Sequence, residues 1–164
     1  MTIPTQTQLR QRAVDLGQSL FGSGLRLVTA ESCTGGWIAK IVTDVAGSSA
    51  WFDCGMATYS NASKQALLGV NRRTLEIHGA VSRECVLEMA SGALRHSCGD
   101  VAVAVSGIAG PGGGTEDKPV GTVWIAWQRR DRTGDAQVFR FDGDRDAVRR
   151  QAVMAALQGL RARL

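Results

Sequence analysis

An unbroken apolar run, Val101-Ala102-Val103-Ala104-Val105, constrains this chain more than any other stretch. It is too short for a helix and too apolar for a strand with one wet face, so it predicts a buried strand in a sheet covered on both sides. The run opens into Ser106 and a glycine-rich loop holding Gly107, Gly110, Gly112, Gly113 and Gly114. Glycines let a backbone take positive φ, expected here at Gly112, and bring bare N–H groups close to an anion, which favours a phosphate or carboxylate. The spacing is not G-x-G-x-x-G, and no G-K-[ST] follows, so neither the dinucleotide nor the P-loop pattern applies. A purely structural connection would be shorter than one carrying the polar insert Thr115-Glu116-Asp117-Lys118. A long flexible connection is the plain alternative.

The flanking periodicities supply the layers. Leu9, Ala13, Leu16 and Leu20 recur at helical spacing until Gly22-Ser23-Gly24 stops them. Residues 25–30 predict a second buried strand, followed by Glu31-Ser32-Cys33 and by Thr34 as N-cap of a helix bearing Trp37, Ile38, Ile41, Val42 and Val45. Ala46-Gly47 ends that helix; residues 52–59 then predict a mixed strand and residues 64–68 a short helix. Ser82 caps a helix whose apolar face is Val86, Met89, Ala90, Ala93 and Leu94. Residues 120–127 and 137–141 flank the turn signal Arg132-Thr133-Gly134-Asp135 and predict an antiparallel hairpin. Asp144 caps a last helix with Val148, Ala152, Ala155, Ala156 and Leu160 on one face. Helices around five strands predict the α/β class, a three-layer α/β/α arrangement with a mixed sheet. The 164 residues predict one domain, 1–164.

Composition narrows the function classes. Apolar residues make up 44% and charged residues 21%, the range of soluble globular domains. No run approaches a membrane span and the N-terminus lacks a signal-peptide pattern, which predicts a cytoplasmic protein with no membrane partner. Cys33, Cys54, Cys85 and Cys98 form no C-x-x-C pair, so neither a metal site nor a disulfide framework is expected. Much of the net charge of +4 comes from arginines near the C-terminus, and only one tyrosine is present, so no nucleic-acid partner is expected. A small anionic substrate suits the charge. Trp51, Trp124 and Trp127 are more indole than a small domain usually buries, which is compatible with a homo-oligomer; a core place for all three is the other option.

Three segments carry small polar residues at strand ends or helix starts: residues 31–36, Gly47-Ser48-Ser49, and Ser106 with its loop. In open α/β sheets ligands gather at such places, so the three are expected to line one pocket. Cys33 at a helix start would be a nucleophile of lowered pKa, or else an inert buried thiol. His78 and His96 lie beside no serine-rich strand end, which weighs against a Ser-His pair.

The motifs T-A-E-S-C-T-G-G, A-G-S-S-A-W-F, A-T-Y-S-N-A-S-K, H-G-A-V-S and V-S-G-I-A-G-P-G-G-G…K-P-V-G-T-V-W, in this order from about Leu9 to the last helix, together resemble the CinA C-terminal domain family. Its stand-alone members include nicotinamide-mononucleotide amidohydrolases. The resemblance therefore implies hydrolysis of the carboxamide of a small-molecule nucleotide, nicotinamide mononucleotide, to nicotinate mononucleotide and ammonia, a step of pyridine nucleotide salvage that uses no metal or cofactor. It also implies Ser49 as nucleophile and Lys64 as base. A Ser-Lys pair works where burial or a neighbouring cation lowers the lysine pKa, and Tyr59 is placed to relay or orient the proton. Expected substrate contacts are Ser32, Thr34, Gly35, Gly36, Ser106, Gly107, Gly112, Gly113 and Thr115. Arg145 joins them, with an ion pair to Asp142 as its simpler role. Ser32, Ser48 and Cys33 remain open as nucleophiles in place of Ser49. A nucleotide-binding module without turnover would explain the glycine loops equally well.

Overall fold

The computed structural model describes residues 2–164. Strands β1 (Leu27–Glu31), β2 (Phe52–Ala57), β3 (Val101–Gly107), β4 (Thr122–Arg129) and β5 (Asp135–Arg140) form one sheet in the order β2-β1-β3-β4-β5. β1 runs parallel to β2 and β3, whereas β4 pairs antiparallel with β3 and β5. This is the expected mixed sheet, with the expected hairpin at its end. Helices α1 (Gln6–Gly22), α2 (Trp37–Thr43) and α6 (Arg145–Arg161) cover one face. Helices α3 (Asn61–Leu68), α4 (Arg72–His78) and α5 (Arg83–Arg95) cover the other.

The central strand explains the layers. Val101, Val103 and Val105 enter the α1/α2/α6 core, while Ala102 and Ala104 face α5. Small side chains on that second face let α5 approach closely, and a methyl at Gly92 would collide with the Leu68 carbonyl. Ser82 and Asp144 cap α5 and α6 through their side chains as expected. Thr34 does not cap α2: the N-cap is Gly36 at φ 91°, and the helix ends at Thr43, short of Val45. Helix α4 has no buried residue, so it leaves no apolar period in the sequence.

The indoles belong largely to the core. Trp51 is buried against Gly17, and Trp127 lies over Gly159 with its Nε1 donating to the Ala156 carbonyl at 2.9 Å. Trp124 is half-buried against the α5 side. Their number therefore no longer argues for a homo-oligomer. Among the described residues no helix is long and apolar enough to cross a membrane.

Candidate active site

Strand register assembles the site. Glu31 pairs with Ala57 on one side and with Val105 on the other. One residue further on, Thr58, Ser32 and Ser106 therefore stand side by side at the carboxyl ends of β2, β1 and β3. Alternation turns all three towards the α3/α5 face, the face of Val28, Ala30, Ala102 and Ala104. Helix α3 starts just after β2, fixed by a capping box between Ser60 and Ser63, and this lays Lys64 and Leu68 against the sheet. Lys64 is 1% exposed. Its Nζ lies 2.9 Å from Ser32 Oγ and donates to the Thr58 carbonyl at 2.8 Å. Burial pulls its pKa below the ordinary lysine value, with smaller opposing influences from the Cys85 and Cys33 thiols.

On the other face of the same strand end lies Glu31. Its carboxylate accepts from Thr34 Oγ1 at 2.6 Å, from the Ile38 and Ala39 amides at 3.0 and 2.9 Å, and from Thr29 Oγ1 at 3.3 Å. These bonds occupy amides of the first turn of α2. The Gly35 amide goes to the Ser32 carbonyl and the Trp37 amide to that of Thr34. The expectation of a phosphate site at Thr34-Gly35-Gly36 therefore fails at Thr34, which is buried and spent on Glu31, and at the Gly35 amide. Gly35 and Gly36 instead line a separate cleft with Gln6, Trp37, Lys40 and Arg149. Arg149 donates to the carbonyls of Cys33 and Thr34 at 3.1 and 2.9 Å and so grips the segment that carries Ser32.

Ser49 is not part of this group. It is exposed in a short 3-10 turn, Ser48–Ala50, that precedes β2, beside the amino end of β1 where Leu27 donates to the Trp51 carbonyl at 2.8 Å. Lys64 follows β2. The length of that strand, roughly 20 Å at about 3.3 Å per residue, separates the two. The expected Ser49–Lys64 pair is replaced by Ser32–Lys64, and the segment at Gly47, with Ser48, sits at the wrong edge to share the pocket. Cys33 drops out as well, since burial in the core pushes its thiol up to about 12. His96 contacts the Gly92 carbonyl and His78 lies 3.7 Å from Glu84, so neither ring is paired with a serine hydroxyl.

Arg145 ties the glycine loop to the segment that follows β2. The guanidinium of Arg145 donates to the Gly110 carbonyl at 2.7 Å and to Tyr59 Oη at 2.6 Å, in place of the ion pair with Asp142. Tyr59 is exposed and engages Arg145 rather than Lys64. The amide and carbonyl of Ile108 pair with Thr122 and Gly121 across β4. Alternation therefore turns the Gly107 amide the other way, towards the space beyond Ser32. A side chain at Gly107 would strike Thr122 and Val123. Positive φ falls on Gly110 and Gly113, not on Gly112, whose Cβ position is open. Thr115 is exposed and accepts from the Lys118 amide, closing a turn of the loop. A cleft of about 580 Å³ between α1, α6 and β5 contains none of these residues. Thr58 is the neighbour of Lys64 that sequence reading passed over, and Glu31, which heads the 31–36 segment expected to line the pocket, ties β1 to α2 instead.

The CinA C-terminal domain model matches residues 9–164. The chain belongs to the CinA C-terminal domain family. Within this family it is 54% identical to the nicotinamide-nucleotide amidohydrolase PncC of Escherichia coli over 156 residues, covering 95% of this chain and 94% of that protein. The protein of the same name from Pseudomonas putida is 54% identical over 153 residues, with 90% and 92% covered. The crystal structure of competence/damage inducible protein CihA from Agrobacterium tumefaciens superposes with a TM-score of 0.92 at 44% identity, covering 99% of this chain and 98% of that one. The CinA domain also occurs in longer proteins: a CinA-like protein of Geobacter sulfurreducens is 54% identical over 86% of this chain but only 34% of its own length.

Proposed function

We propose that this chain is an amidohydrolase that converts the carboxamide of nicotinamide mononucleotide to the carboxylate of nicotinate mononucleotide, with Ser32 as nucleophile and Lys64 as base. The observation that carries the reading is the buried Nζ of Lys64, 2.9 Å from Ser32 Oγ and lowered in pKa. The substrate comes from the name shared by stand-alone relatives of nearly equal length. Lys64 takes the Ser32 proton as Oγ attacks the carboxamide carbon. The Gly107 amide faces the developing oxyanion. When the C–N bond breaks, Lys64 returns the proton to nitrogen and ammonia leaves. Water then attacks the acyl-Ser32 ester while Lys64 takes its proton, and cleavage of the C–Oγ bond returns that proton to Ser32. Ser106 lines the floor beside Ser32, and Arg145 is the cation suited to the substrate phosphate.

Ammonia release from nicotinamide mononucleotide tests the reaction, and Ser32→Ala tests the nucleophile. The variant is expected to bind nucleotide yet lose turnover by roughly three to six orders of magnitude. Binding by the wild type without ammonia release would leave a nucleotide-binding module instead. An active Ser32→Ala protein would return the nucleophile to another group.

A further inference from the structure

We infer that the hydroxyl of Thr58 is a positioning group for Lys64, holding the amine so that its lone pair meets Ser32. The inference rests on the reading of Lys64 as base. Among the described residues, Thr58 Oγ1 is the buried side-chain oxygen left without a hydrogen-bond partner. Folded proteins rarely leave such a group unpaired, because its desolvation is uncompensated. The rest of Thr58 is fully engaged: its amide donates to the Glu31 carbonyl and its carbonyl accepts from Lys64 Nζ, both at 2.8 Å.

Lys64 has the matching deficit. A neutral amine that accepts the Ser32 proton has two N–H groups, and only one finds an acceptor, the Thr58 carbonyl. Once the proton has moved, the ammonium has three N–H groups, directed at Ser32 Oγ, at the Thr58 carbonyl and at a third position with no acceptor. The unpaired N–H and the unpaired hydroxyl belong to residues already in contact through the Thr58 carbonyl, and a turn about the Thr58 Cα–Cβ bond or one intervening water would join them. The other titratable groups near the amine are poorer acceptors. Cys85 from α5 and Cys33 from the loop after β1 are thiols pushed up to about 11 and about 12, and both stay protonated. Glu31 is on the far face of the sheet and committed to its four donors. A bond from the ammonium is stronger than one from the amine, so Thr58 favours the state reached when Ser32 attacks.

The test is ammonia release from nicotinamide mononucleotide by the full chain across a pH series, for Thr58→Val, Thr58→Ser and Lys64→Met. Thr58→Val is expected to lower kcat by roughly 10- to 100-fold, the loss expected for one hydrogen bond to a charged group, with KM nearly unchanged. It should also shift the acidic limb of the profile to lower pH, because the ammonium has lost an acceptor. Thr58→Ser should restore both rate and profile. A Thr58→Val protein with wild-type kcat and profile overturns the inference, as does a slower protein whose profile is unmoved or which Thr58→Ser fails to match. If Thr58→Val does not fold, Thr58→Ala against Thr58→Ser gives the same contrast. Activity surviving in Lys64→Met would instead overturn the base assignment, independently of any Thr58 result.

Discussion

Glu31 and Lys64 are each 1% exposed, yet the two faces of the sheet treat them in opposite ways. The Glu31 oxygens meet two hydroxyls and two helix amides, a set that ties β1 to α2. The Lys64 nitrogen meets a carbonyl and a serine, and the buried hydroxyl of the same Thr58 has no partner. The fully partnered carboxylate fastens the fold, whereas the partly partnered amine is the group to which the proposed reaction assigns a proton. Three substitutions separate the two roles.

The largest effect is expected at Lys64. Lys64→Met should cut turnover by roughly 10²- to 10⁴-fold, the usual share of a general base. Stability should hold or rise, since the variant no longer buries an amine. The sign with pH follows from linkage. The folded pKa lies below the ordinary lysine value of 10.5, so between the two the unfolded chain holds the extra proton and wild-type stability rises with pH. The advantage of the methionine is therefore greatest below the folded pKa and disappears above 10.5. Urea melts over a pH series measure it, and a variant that melts far lower would make Lys64 a structural group like Glu31.

Glu31→Gln comes next. At least one of the Ile38 and Ala39 amides loses its acceptor, which should cost about 2–4 kcal/mol. For a chain of this size that lowers Tm by roughly 5–15 °C, read by circular dichroism. An unchanged Tm would show that the loop after β1 is held by Arg149 alone.

The smallest effect is expected at Ser49. Exposed at the opposite sheet edge, Ser49→Ala should keep full turnover and stay within about 0.5 kcal/mol of wild type. A collapse of activity there would place chemistry at both edges and undo the contrast drawn from the carboxyl edge alone.

Strand order aside, the layers were legible because burial leaves a periodic record. Val101 to Val105 reads as a covered strand, and Ser82 and Asp144 announce helices that the structure starts there. Helix α4 was silent because it buries nothing. Part of the site was legible too: parallel strands put residues preceding a strand and residues following it at opposite edges. Ser49 before Phe52 and Lys64 after Ala57 could have been separated on that ground.

The sequence alone determined the class of the fold and the family, since local spacing and motif order record both, and the family resemblance singled out Lys64. Which serine meets that lysine was decided only by the tertiary structure. Ser32, Thr58 and Ser106 come from distant parts of the chain and become neighbours through the register of β2, β1 and β3. The burial that lowers the Lys64 pKa arises only when α3 closes over that row, a desolvation that no local stretch of residues contains.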